Sequence, residues 1–99
     1  MQTSEVLEKA ADELERHGWR QGSFGTNKGA KCASGAIRFV VTGDAKGYHP
    51  AIHAPLAALG CAIPKSFIVT SWNDAKGREA ERVVLLMRQV ARKCRRRGE

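Results

Sequence analysis

Ser71-Trp72-Asn73-Asp74-Ala75-Lys76-Gly77-Arg78 stands directly before the longest helical pattern in the chain. The Trp reads as a buried anchor. The Asn-Asp pair reads as an N-terminal cap, because an Asx side-chain oxygen accepts from the unpaired N–H groups of a first helical turn. Downstream, Ala80, Val83, Val84, Met87, Val90, Ala91 and Cys94 recur every three or four residues. They make one apolar stripe, which Leu85 and Leu86 widen. Its far end is crowded with Arg88, Arg92, Lys93, Arg95, Arg96 and Arg97.

Working back, a second Trp turn, Gly18-Trp19-Arg20-Gln21-Gly22, follows a first helix predicted over residues 3–17. Val6, Leu7, Ala10, Ala11 and Leu14 share a stripe there, and Thr3 or Ser4 is the expected cap, with Glu5 in the first turn where the helix dipole favours acid. Gly18 is a left-handed stop, and Trp19 is expected to fold back onto the helix it ends. Residues 20–30 hold three glycines with Ser23, Thr26 and Asn27 and read as a loop.

From Lys31 to Thr42 two readings compete. Ile37 to Val41 suits a strand by residue type, yet apolar positions 32/33, 36/37 and 40 repeat at helical intervals, which favours a helix ending before Gly43-Asp44-Ala45-Lys46-Gly47. Pro50 suits the start of a third helix with Ile52, Leu56 and Leu59, closed by Gly60. Pro55 argues for a start nearer residue 54 or for a break. Residues 67–72 look extended. The predicted fold is therefore mainly α: one domain over residues 1–99, about four helices, and a short extended segment before the last.

Composition supports that reading. The chain has 99 residues, 42% hydrophobic and 27% charged, as in an ordinary globular domain. No apolar run approaches the roughly 20 residues that span a bilayer. The acidic N-terminus lacks the pattern of a secretory leader, so a cytoplasmic protein is expected, with Cys32, Cys61 and Cys94 as free thiols. The net charge of +7 is unevenly spread, at −2 over residues 1–24, +3 over 25–64 and +6 over 65–99. Such asymmetry either holds the two end helices together or presents a positive face to a partner.

Gly18-Trp19-x-Gln21-Gly22, Cys32-Ala33-x-Gly35-Ala36, Ala58-Leu59-Gly60 and Trp72-Asn73-Asp74-x-x-Gly77-Arg78, in that order, span nearly the whole chain. The set resembles a family of small uncharacterised proteins of actinobacteria and their phages, mycobacteriophages especially. That resemblance implies a mostly helical single domain and brings no catalytic residues. Such proteins often carry Thr after the Gly-Arg pair, where it would cap the last helix. Glu79 stands there instead, which leaves Asp74 or Asn73 as the expected cap.

Reactive constellations are weak. His49 and His53 are spaced i, i+4, and Cys32 or Cys61 would complete a mixed zinc site. However, no Cys-x-x-Cys pair exists and Pro50 and Pro55 disturb the helix required, so no metal and no cofactor are expected. A Cys-His-Asp hydrolase from Cys32 or Cys61 with Asp74 or Asp44 is formally possible, but any chain this rich in Cys and His permits such a list. Gly22-x-x-Gly25-x-x-x-Gly29 lacks the strand and the Lys-Ser/Thr pair of a phosphate-binding loop, and reads as flexible connection.

The cluster Arg88, Arg92, Lys93, Arg95, Arg96 and Arg97 is the most useful functional signal. Arg88, Arg92 and Arg95 share one helix face and could neutralise phosphates, or simply lie solvated and complement the helix dipole. No aromatic residues are interleaved with them for base stacking. Trp19, Trp72, Asn73 and Asp74 are read as structural anchors. The expectation is a non-enzymatic phage accessory protein that engages a host macromolecule. A host protein comes first and nucleic acid second, acting through the basic helix, with no membrane involved. A small Cys/His enzyme is the remaining alternative.

Overall fold

The two amphipathic stripes at the chain's ends find each other. In a computed structural model, which describes residues 1–64 and 68–99, α1 is Thr3–His17 and α5 is Ala80–Arg96. Val6, Leu7, Ala10, Ala11 and Leu14 of α1 are buried, as are Val83, Met87, Val90, Ala91 and Cys94 of α5. Glu8 lies beside Arg95 and Glu15 beside Arg88, so the helices run antiparallel. Each large aliphatic side chain so buried is worth about 1.5–3 kcal/mol relative to exposure.

α2, Ala33–Thr42, packs against α1. Its first turns bury Ala33, Ser34, Gly35, Ala36 and Ile37. A Cβ at Gly35 would strike the Phe24 carbonyl, so the helix packs directly on the preceding loop. Gly43 ends it in the left-handed region at φ +82°, with its N–H donating to the Phe39 carbonyl at 2.8 Å. Residues 37–41 are thus helical. A 3-10 turn, Pro50–Ile52, then leads into α3, His53–Cys61, with Ile52, Pro55 and Leu59 buried. Pro55 falls in the first turn of α3, where a missing N–H does no harm. Gly60 lies within α3 rather than closing it.

Three local expectations are corrected. The first helix is preceded by Gln2, not Thr3 or Ser4: the Gln2 N–H donates to Glu5 Oε1 at 3.3 Å, and Ser4 is buried. Of the segment expected to be extended, Phe67 lies outside the described residues and Ile68 is extended, but Val69–Asn73 winds into a short helix, α4. No β-strand exists among the described residues for it to pair with. A helical turn satisfies its backbone internally, with Trp72 N–H donating to the Ile68 carbonyl at 2.9 Å. The mainly α fold therefore has five α-helices among the described residues, where about four were expected.

The third correction concerns the cap of α5. Glu79 occupies that position without a side-chain bond. Asn73 and Asp74 are separated from α5 by a turn, and their side chains face the loop after α1.

Candidate functional site

Four polar groups meet at Asn73, which is fully buried. Its Oδ1 accepts from Trp19 Nε1–H at 2.6 Å and from the Ala33 N–H at 3.0 Å. Its Nδ2 donates to the Arg20 carbonyl at 3.0 Å and to Asp74 Oδ1 at 2.9 Å. Asp74 Oδ1 also accepts from the Gly22 N–H at 3.0 Å. One amide thus ties α4 to the end of α1, to the loop and to the start of α2. Trp19 is half-buried, packs against the core and reaches across to α4 through this bond. Trp72 is buried at 5% exposure, and the Arg78 guanidinium stacks on its ring at 4.3 Å.

The glycine loop is pinned rather than free. Lys31 is completely buried. Its Nζ donates to Glu13 Oε1 at 2.7 Å and to the carbonyls of Asn27 at 3.0 Å and Gly29 at 2.9 Å, and it lies 4.4 Å from the centre of the Phe39 ring. All three ammonium protons therefore have partners, which a buried charge requires. Burial pushes the Glu13 carboxyl up, but the hydrogen bond and charge of Lys31, helped by His17, outweigh it and leave Glu13 below the usual carboxylate range. Nothing in the sequence reading singled out Lys31. A lone lysine abutting the apolar Cys32-Ala33 pair was the signal available.

Of the residues weighed for zinc and for hydrolysis, His49, His53 and Cys32 have other partners. His49 Nδ1 accepts from the Ala51 N–H at 3.0 Å, and His53 Nε2 meets the Tyr48 hydroxyl at 2.8 Å. Cys32 is buried at the start of α2, its Sγ accepting from the Gly35 N–H at 3.3 Å. Burial pushes the Cys32 thiol up, away from the thiolate a nucleophile needs. Cys94 is buried and Cys61 exposed. Among the described residues no three His, Cys, Asp or Glu side chains are grouped to hold a metal ion.

The basic helix is divided. Arg88 reaches Glu8 at 2.9 Å, Asp12 at 3.0 Å and Glu15, all on α1, and these bonds hold its guanidinium pKa above the usual arginine value despite partial burial. Arg95 lies 3.5 Å from Glu8. Of the shared face of Arg88, Arg92 and Arg95, Arg88 is therefore part of a seam with α1, and Arg95 joins it while staying 56% exposed. Arg92, Lys93, Arg96 and Arg97 remain exposed, and none forms an ion pair among the described residues.

One turn around α5, Arg82, Leu86, Gln89, Lys93 and Arg96 recur at intervals of four and three residues, flanked by Leu85 and Arg92. Leu85 is 47% exposed, so it lies outside the core stripe it was expected to widen. Arg82 was not singled out from sequence. This flank borders a recess against the end of α3, lined by Cys61, Ala62, Leu86, Gln89, Lys93 and Arg96 among others. A second recess continues past Ala62, Leu86 and Gln89 to Pro64, Leu85, Arg82 and Trp72. Among the described residues, no Asp or Glu lines either one. The result is an apolar floor with a cationic rim.

No helix among the described residues is long and apolar enough to cross a membrane. No curated protein and no solved structure matches the chain. The model of a family of unknown function, DUF6197, matches residues 1–93, and the chain belongs to that family.

Proposed function

We propose that this chain is a non-enzymatic binding protein, an accessory product of an actinobacterial phage or its actinobacterial relative, that engages a host protein. The observation that carries this reading is the outer flank of α5. There Arg82, Arg92, Lys93 and Arg96 are exposed and unpaired among the described residues, on the same flank as the exposed Leu85, which borders Arg82 and also Glu79 and Glu81. Interface cores combine an apolar centre with charged rims, and arginine is enriched there.

The second reading, nucleic acid, draws on the same cations. It is disfavoured by the neighbouring face: Glu8, Asp12 and Glu15 stay 28%, 50% and 58% exposed beside Arg88. A duplex lying broadly on α5 would bring phosphates against these acids.

The test is capture from mycobacterial lysate with the tagged protein and with an Arg82→Glu/Lys93→Glu/Arg96→Glu variant. A host protein should be retained after nuclease treatment and lost from the variant, whose circular dichroism spectrum should match the wild type. A complex with DNA that persists at physiological salt would reverse the order of partners.

A further inference from the structure

The geometry points to one kind of occupant for the α5 groove: an acidic amphipathic α-helix of the partner, laid along α5 with its apolar edge on Leu85, Leu86 and Ala62. This rests on the protein-binding reading above and specifies its chemistry. The first support is charge. Arg92, Lys93 and Arg96 line a recess with no carboxylate among its described lining residues, and Arg82 lines a second. Although Glu79 and Glu81 border Arg82 on its other side and Glu99 shares a further recess with Lys93, the groove itself is complementary to an acidic partner. The second is apolar surface. Leu85 is 47% exposed, and with Leu86, Ala62 and Pro64 it forms a floor that free carboxylates or phosphates would not cover.

The third support is spacing. Arg82, Gln89 and Arg96 make one row along α5, with Leu85 and Arg92 on one side of it and Leu86 and Lys93 on the other. A partner helix has the same pitch of about 5.4 Å, so its side chains meet each turn of α5 in register, ridge against groove. From Arg82 to Arg96 the stripe is roughly 21 Å long at about 1.5 Å per residue, which matches a partner helix of about four turns. An extended segment has no sheet edge to join among the described residues, since the only bridges are isolated ones at Lys31.

The test uses the full-length protein and three fluorescein-labelled probes. One is a blocked Glu/Ala/Leu peptide of about 16 residues, enough to cover the stripe, with leucines on one helical face. The second has the same composition with leucines spread around the helix, and the third is a DNA duplex. Fluorescence anisotropy should show the amphipathic peptide binding about tenfold or more tightly than the permuted one, a difference of about 1.4 kcal/mol. Binding should weaken as salt rises, and the peptide's helical circular dichroism should increase on mixing. Leu85→Ser, an exposed position that leaves the fold intact, should weaken the amphipathic peptide and leave the permuted one unchanged. Lys93→Glu/Arg96→Glu should weaken both.

Equal binding of the two peptides, or no effect of Leu85→Ser, would reduce the surface to charge alone and overturn the helix assignment. No peptide binding, alongside nuclease-resistant capture of a host protein that the charge-reversed variant loses, would overturn this inference and leave the proposed function standing. Tighter binding of the duplex than of either peptide at physiological salt would overturn both.

Discussion

Two polar regions of this molecule treat charge in opposite ways. Around Asn73 and Lys31, every buried side-chain donor and acceptor has a partner within the chain. Several of the bonds at Asn73 join segments more than fifty residues apart in sequence, from Trp19 to Asn73 for example. On the outer flank of α5, four cations share a helix flank with an exposed leucine and none forms an ion pair among the described residues. Internal satisfaction rigidifies a fold, whereas exposed, unanswered charge is free to be answered by something else. Arg88 marks the border, since it belongs to the basic helix by sequence and to the interior seam by geometry.

The comparison breaks most sharply at Trp72. Trp72→Ala should cost about 3–5 kcal/mol, the range for emptying a buried aromatic site, and a thermal melt should show a domain close to unfolding. An unchanged midpoint would mean that Trp72 belongs to the surface. Asn73→Ala comes next, at about 2–4 kcal/mol, because it leaves the Trp19 indole N–H and the Ala33 N–H buried without an acceptor. Urea titration measures it. Asn73→Asp should recover only part of the loss, since a carboxylate cannot donate to the Arg20 carbonyl.

Acid should loosen the same region by a smaller amount. Burial raises Glu13 and Lys31 more than offsets it, so its folded pKa lies below its ordinary value of 4.5. The stabilisation from this pair is therefore fully present above that value and is lost as the pH falls through the folded pKa. Wild type should lose stability on acidification that Glu13→Gln, already deprived of it at neutral pH, does not lose. Urea midpoints at neutral and acidic pH for the two proteins would show the gap closing, and a constant gap would remove Glu13 from the acid response.

The smallest effects sharpen the border. Arg88→Ala should cost about 1 kcal/mol, as a partly exposed ion-pair network does, and should leave partner capture intact. Arg92→Ala should change stability by less than about 0.5 kcal/mol and weaken capture instead. If the two variants exchanged these phenotypes, the division of α5 into seam and binding flank would be wrong.

How much of this was legible depended on the range of the forces involved. The helices α1, α2 and α5 were readable because apolar periodicity is local and strong, and Gly43 marked the end of α2 by its own conformational freedom. The site was half readable: the basic cluster was visible, but its split was not. Arg88, Arg92 and Arg95 lie on one face by spacing, and only the arrival of Glu8, Asp12 and Glu15 from α1 separates them. Leu85 was misjudged because a leucine beside a core stripe is ambiguous until the neighbour that covers the stripe is placed.

α4 shows the same limit. Residues 68–72 have strand-like composition, and the choice between strand and helix turned on whether a partner strand existed, which is a property of the whole fold. By itself the sequence determined a mainly helical chain with an acidic first helix, a basic last one and two Trp turns. Stripe spacing, glycine stops and charge are written residue by residue. Tertiary structure alone decided that Asn73 binds the loop instead of capping α5, that Lys31 is buried, and which cations face solvent. Those outcomes depend on which distant groups compete for the same donors and acceptors, and no local pattern encodes that competition.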